Sequence, residues 1–399
     1  MKYLILGAGP AGLTFANRLL KNGEDDFLVL EKESEAGGLC RSEEVDGSPF
    51  DIGGGHFLDV RNAEVLDFLF PFMPIEEWDH YERDSRIVVN GNTINSPIEA
   101  NIWQMKLEDQ VEYLKSIAIA GCNLGTEMPE KFIEWIDWKL GKKIADDYMI
   151  PYNQKMFGEN LNELGTYWLN KLPNVSFEET LISCLERRAH GTQPGHAKFY
   201  YPKKFGYGEI WKRMADALGD RIQYNTPVRE IDFENRIVNG EFKADVIITT
   251  IPVTSVPTLT NLPEEIRLET EKLKHSSVVI AYRPEMLDTK AQWIYYPDPN
   301  LSYHRILVRH NFCPNSRGYW TETNLTRFRE EENKEQPYFI NEYAYPLNTI
   351  GKEEAIARIL AYTAEKNIVG LGRWGEWQHF NSDVVVARSM KLADKFCSK

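Results

Sequence analysis

The sequence predicts an α/β fold: a parallel sheet assembled from separated parts of the chain, with a mainly helical insertion and an antiparallel sheet between those parts. Three observations predict it. The apolar run Tyr3-Leu4-Ile5-Leu6 feeds directly into Gly7-x-Gly9-x-x-Gly12 and then an amphipathic stretch (Leu13, Ala16, Leu19, Leu20). Two more apolar runs, Phe27 to Leu30 and Asp245 to Ile251, have the composition of strands buried on both faces. Period-two alternation recurs between Ser277 and Tyr345.

The first element is strand, tight turn and helix. Gly7 permits the turn, Gly9 lets a pyrophosphate approach the backbone and the helix N-terminus, and Gly12 lets helix and strand pack closely. The next strand ends in Glu31, about 20 residues past the turn, where a ribose hydroxyl needs an acceptor. This is a Rossmann-like pattern. A nicotinamide domain would continue into another helix and strand. Here Lys32 is followed closely by Gly37-Gly38-Leu39-Cys40-Arg41, and then by Gly53-Gly54-Gly55-His56. Consecutive glycines bring a backbone close to a flat group that any Cβ would strike. The arrangement predicts FAD, with adenosine at Gly7–Glu31, pyrophosphate and ribityl near Gly37–Arg41, and isoalloxazine against Gly53–His56.

Ile222 to Ile231, with Val228, returns to the same domain. Gly370-Leu371-Gly372-Arg373-Trp374-Gly375 precedes Asn381-Ser382-Asp383, which is expected to cap a helix from Val384 to about Lys395. Its N-terminus would favour negative charge on a reduced ring. Cofactor contacts are therefore expected from Gly7, Gly9, Pro10, Ala11, Gly12, Glu31, Lys32, Gly38, Leu39, Gly54, Gly55, His56, Val228, Gly372, Arg373, Ser382, Asp383 and Val384.

The expected division is an FAD-binding domain of 1–60, 205–262 and 365–399, a mainly helical insertion over 61–204, and an antiparallel-sheet substrate domain over 263–364. Phe132 to Leu140 has helical period, and its tryptophans read as core. Ser277–Tyr282, Trp293–Tyr296, Tyr303–Val308 and Asn341–Tyr345 read as strands, and the charge run Glu330–Glu335 as a solvated loop.

The formal charge of −14 argues against nonspecific nucleic-acid binding. No stretch is long and apolar enough to span a bilayer. The apolar start serves as a strand rather than a leader, and five scattered cysteines without CxxC or zinc spacing predict reduced thiols and no metal. These readings predict a cytoplasmic protein. Helical faces in the first insertion offer surfaces for a homo-oligomer.

Tyr295, Arg305 and Tyr345 form a set on the predicted sheet. The residues allow two readings: a guanidinium fork and two hydroxyls gripping a diphosphate, or a snorkelling arginine with two core tyrosines.

The FAD motifs resemble those of the amine oxidase, protoporphyrinogen oxidase and phytoene desaturase group. The insertions are similar to UDP-galactopyranose mutases, especially the eukaryotic type. The matching stretches are Phe132-Ile133-Glu134-Trp135, Ile144–Asn153 with Lys155, Phe199-Tyr200-Tyr201-Pro202, Gly206-x-Gly208-x-Ile210-Trp211, Trp293-x-Tyr295-x-Pro297, Tyr303-His304-Arg305, Tyr345-Pro346 and Gly372-Arg373-Trp374-Gly375-x-Trp377. The resemblance implies catalytic roles for His56, whose backbone would face the flavin, and for Arg305, which would hold the substrate diphosphate. It implies substrate contacts from Asn153, Tyr295 and Tyr345 and a flavin contact from Arg373. It further implies a UDP-hexose substrate, reduced FAD supplied with electrons by NADH or NADPH, and a part in surface polysaccharide synthesis. An FAD oxidoreductase of the amine oxidase or desaturase type is the alternative. The chain departs from the mutase pattern in having Ser96-Pro97-Ile98-Glu99 where Tyr-Pro-Phe-Gln is expected, Phe157 for a tryptophan, Lys171 or Leu172 for a second arginine, and His379 or Phe380 for a tyrosine.

Overall fold

The computed structural model describes residues 1–398 apart from 124, 159, 170–174 and 192–196. Five parallel strands form its base in the order Ile222–Gln223, Phe27–Leu30, Tyr3–Leu6, Val246–Thr249 and Ile368–Gly370. Tyr3–Leu6 lies at the centre with all four residues buried. Layers cover both faces, which is why the strand shows no polar alternation. The helix Pro10–Lys21 packs against the helix Ser382–Cys397. Between them Tyr3, Phe15 and Phe396 meet edge to face at centroid distances of 5.6 to 6.2 Å. Arg18 donates to both oxygens of Asp394, at 2.6 and 2.8 Å, and ties the ends of the chain together. The last helix starts two residues before the expected Val384. Asn381 occupies the cap position with extended backbone, but its side chain makes no capping bond.

A seven-stranded sheet stands beside this base, in the order Tyr338–Pro346, His275–Arg283, Tyr319–Asn324, Arg305–Leu307, Trp293–Tyr295, Ser85–Val89 and Asn92–Asn95. Its last two strands come from the stretch expected to be mainly helical, so the sheet crosses the expected boundary. They form a hairpin over Asn90-Gly91, with φ of 48° and 70°. Two positive φ values give the tight turn whose twist matches the strands. Ser85–Val89 pairs with Trp293–Tyr295 in parallel.

Helices still dominate 98–186: Leu107–Gly121, Phe132–Leu140, Ile150–Phe157 and Phe177–Glu186 pack around Tyr113, Phe132, Ile136 and Ile144. Trp135 is buried there, as its helical position suggests. A π-helical turn, Ala145–Met149, immediately precedes the helix carrying Asn153. Such turns are frequent beside functional sites. Among the described residues no helix is long and apolar enough to cross a membrane.

Candidate active site

A cavity of about 410 Å³ opens at the carboxyl ends of the parallel strands. This is where open α/β sheets hold ligands, and the volume suits a cofactor. Its walls include Gly7, Gly9, Pro10, Ala11, Glu31, Lys32, Gly38, Leu39, His56, Val228, Arg373, Ser382 and Val385. Gly7 turns at φ +100°, and a Cβ on Gly12 would stand 2.0 Å from the Gly7 carbonyl oxygen. Gly9 has only the Gly38 Cα, at 3.9 Å, near its missing Cβ, so that side is open to a ligand. Glu31 is buried and accepts from the Ala8 and Glu33 amides at 2.7 and 3.0 Å. Burial pushes its carboxyl up, while its remaining lone pairs suit ribose hydroxyls.

Two details differ from expectation. The last helix presents Val385 to the cavity, and the Val384 side chain is 37% exposed. The glycine triplet makes close approaches to the protein itself. A Cβ on Gly53 would lie 1.9 Å from the Leu39 carbonyl oxygen, and one on Gly55 would lie 2.2 Å from Leu307 Cδ2. These glycines seat their loop between the Leu39 turn and the seven-stranded sheet. Gly12, Gly54, Gly55, Gly372 and Asp383 do not line the cavity.

His56 Nδ1 lies 3.0 Å from the Gly54 carbonyl, which can only accept, so Nδ1 carries the proton and Nε2 is left as an acceptor. Burial, helped by the charges of Arg373 and Arg305, pushes this imidazole down to about 3. It is therefore neutral near pH 7. Arg373 gives Nε and Nη2 to the Phe380 carbonyl and Nη1 to the Ala344 carbonyl, at 2.9 to 3.1 Å. Among the described residues it has no carboxylate partner, and burial lowers its pKa. A cation held on a cavity wall by carbonyls alone suits an anionic or electron-rich ligand.

Beyond His56 the seven-stranded sheet places Tyr295, Arg305 and Glu322 in register, so their side chains share one face. Gly55 docks on this same face through Leu307. Arg305 donates Nε to Glu322 Oε2 at 2.7 Å and Nη2 to the Tyr345 hydroxyl at 3.0 Å. Its side chain is 16% exposed, and Nη1 bonds to no described residue. Glu322 Oε1 accepts from the Gly55 amide at 3.3 Å, which joins the clamp to the cradle. The structure thus brings Arg305 and Tyr345 together. Tyr295 instead accepts from Arg83 Nη2 at 2.8 Å, with the Arg83 guanidinium 4.3 Å from the Trp293 ring centroid. Asn153 spends its amide on the Met149 carbonyl at 2.7 Å, which leaves its oxygen. None of Tyr295, Arg305, Tyr345 or Asn153 lines the 410 Å³ cavity.

Glu322 and Arg83 are absent from the sequence expectations. A strand reading Trp320-Thr321-Glu322-Thr323-Asn324 beside a strand arginine carried the signal, since a buried guanidinium needs a counter-charge. Of the departures, Phe157 and His379 both pack on Tyr345, with centroids 6.5 and 5.0 Å away. Glu99 is buried, and its carboxyl is pushed up to about 7 by burial. Lys171 and Leu172 lie outside the described residues. Among the described residues no cluster of three or more His, Cys, Asp or Glu could hold a metal.

Residues 10–282 match the family described as flavin containing amine oxidoreductase. The chain is 23% identical to the UDP-galactopyranose mutase of Mycoplasma pneumoniae (strain ATCC 29342 / M129 / Subtype 1) over 416 residues, covering 98% of this chain and 95% of the relative. It superposes on a crystal structure of reduced UDP-galactopyranose mutase with TM-score 0.89 and 22% identity, covering 100% of this chain and 94% of that one. Cyclohexylamine oxidase from Brevibacterium oxydans IH-35A gives TM-score 0.69 at 14% identity, covering 100% and 98%. With this fold, and with the match spanning most of its length, the chain belongs to the flavin-containing amine oxidoreductase family.

Proposed function

We propose that this chain is an FAD-dependent enzyme of the UDP-galactopyranose mutase kind, converting the pyranose ring of a nucleotide-diphosphate hexose into the furanose. The observation that carries the reading is Arg305: a guanidinium fixed on the sheet face against which Gly55 docks, braced by Glu322 and Tyr345, with its Nη1 edge uncommitted. An amine or hydrocarbon substrate has no use for that edge; a diphosphate does. The reading is supported by full-length likeness to a mutase in sequence and fold.

FAD fits the residues present. Gly7, Gly9 and the start of Pro10–Lys21 would take the pyrophosphate, Glu31 the ribose, and Gly38, Leu39, Val228, Arg373 and Ser382 the remainder. When bound and reduced, the flavin would supply an electron-rich nitrogen as the nucleophile. Arg305 holds the departing diphosphate and stabilises its charge, with the Tyr345 hydroxyl keeping the guanidinium in place. Tyr295, Asn153 and Arg83 bound the same space and orient the substrate. His56 is uncharged and accepts at Nε2, so it orients rather than donates a proton. The isomerisation consumes no net reductant, and NADH or NADPH keeps the flavin reduced. We further place the enzyme in the cytoplasm, in surface polysaccharide synthesis, with the division 1–60/205–262/365–399, 61–204 and 263–364 amended so that the hairpin 85–95 goes with the last part.

The test is to incubate oxidised and dithionite-reduced holoenzyme with UDP-galactose and analyse the sugar nucleotide by chromatography. Furanose product from the reduced form alone, without oxygen uptake, is expected. Oxygen consumption with an amine or an unsaturated product would assign the oxidoreductase alternative instead.

A further inference from the structure

Directly beside Arg305, His304 is fully buried, and neither of its ring nitrogens has a hydrogen-bond partner. Nε2 stands 3.8 Å from Glu322 Oε2, the same oxygen that Arg305 holds at 2.7 Å. A polar ring placed in the interior with nothing to bond is costly to keep. The groups that face it are few. Arg305 follows it in the chain, and Glu322 comes from the neighbouring strand. Tyr152 lies edge-on at 5.8 Å between ring centroids. Lys155 from the same helix as Tyr152 gives its Nζ to the Tyr296 and Asp298 carbonyls at 2.7 and 2.8 Å. Before ligand arrives, Glu322 has one counter-ion, Arg305. Burial and the charges of Arg305 and Lys155 hold the imidazole neutral.

We propose that His304 takes up a proton and becomes the second counter-ion of Glu322 when a diphosphate engages Arg305, so that substrate binding is coupled to uptake of one proton. This rests on the reading of Arg305 as a diphosphate clamp. A diphosphate on the free Nη1 edge shares the guanidinium charge and weakens its hold on Glu322. It also adds negative charge to a poorly screened space. Of the groups that could restore balance by protonation, Glu322 and Lys155 already have hydrogen-bond partners, and the imidazole alone lacks one. The proton comes from solvent, Nε2–H then donates to Glu322 Oε2, and closing about 1 Å suffices for a hydrogen bond. No bond to the substrate is made or broken. His304 is a positioning residue: it keeps Glu322 in place, and through it Gly55 and Arg305.

The experiment is titration calorimetry of the oxidised holoenzyme with UDP-galactose, whose esterified diphosphate does not itself titrate near neutrality, in two buffers of different ionisation enthalpy at pH 7.5. The wild type is expected to take up close to one proton, with Kd rising up to tenfold per pH unit above neutrality. His304→Asn is expected to show no uptake and a flat Kd. Binding by the wild type without proton uptake overturns this proposal and leaves the clamp standing. Uptake that persists in His304→Asn assigns the proton to Lys155 or another group, and overturns it as well. Failure of the wild type to bind UDP-galactose at any pH overturns the clamp and the coupling together. If His304→Asn does not fold, Glu322→Gln, which removes the negative charge that calls for a counter-ion, is expected to abolish the uptake.

Discussion

Replacing Glu99 by glutamine is expected to raise the melting temperature at pH 8 and to raise it much less at pH 5. The carboxyl is 7% exposed, and its pKa climbs from 4.5 to about 7 because burial penalises the ion more than the Lys139 charge favours it. In the unfolded chain the group ionises near its ordinary value. Between roughly pH 4.5 and 7 the folded state therefore keeps a proton that the unfolded state has released. Stability falls with pH across that window and stays reduced above it. At about 1.4 kcal/mol per pH unit, the whole penalty is about 3 kcal/mol. An unfolding entropy of about 2 cal/mol/K per residue over a chain of this length converts this to about 4 °C. Glutamine reproduces the shape of the protonated acid and carries no charge, so it escapes the whole penalty at pH 8 and only the smaller part already present at pH 5. Scanning calorimetry of both proteins at the two pH values, at one scan rate, decides it. Other titrating groups, including the buried Asp51, are common to both and cancel. A melting difference that is the same at pH 5 and pH 8, or that favours wild type at pH 8, would refute the reasoning.

Arg305→Ala is expected to lower turnover of UDP-galactose by about 10²–10³-fold, the cost of one charge-stabilising donor, while visible absorbance shows the flavin still bound. Tyr345→Phe removes the hydroxyl that steadies Arg305 at 3.0 Å; a loss of about tenfold, of the order of one hydrogen bond to a charged group, should appear in kcat/KM. Gly12→Ala would force a Cβ to within 2.0 Å of the Gly7 carbonyl, so the purified variant is expected to be colourless or to aggregate, read from the ratio of flavin to protein absorbance. His56, neutral down to about pH 3, predicts that no limb of the pH–rate profile between pH 5 and 8 disappears in His56→Asn.

Elements governed by neighbours in sequence were legible. The run Tyr3–Leu6, the turn at Gly7 and the acceptor at Glu31 each obey rules acting over a few residues, and the structure places them around one cavity. Pairings across the chain were not. Nothing local says that Ser85–Val89 joins Trp293–Tyr295, and the turn signal Asn90-Gly91 between apolar Ile87, Val89 and Ile94 was missed under the helical expectation for 61–204. Arg305 was legible as a strand arginine, but its partner depends on register: Glu322 faces it only because those two strands align at that pair. The glycine triplet was legible as a close approach, but not as one to Leu39 and Leu307, because a missing Cβ does not say which atom takes its room. One residue of helix phase separates Val384 from Val385, finer than a capping signal resolves.

The order of strands in the parallel sheet bears on how the protein is made. The central strand Tyr3–Leu6 leaves the ribosome well before its neighbour Val246–Thr249, and the outer strand Ile368–Gly370 and the wall helix Ser382–Cys397 follow later still. The glycine turn must therefore wait, unroofed, until those segments emerge. Flavin capture consequently follows synthesis of Ser382–Cys397, and chains stalled before it would be apolar, unliganded clients for chaperones.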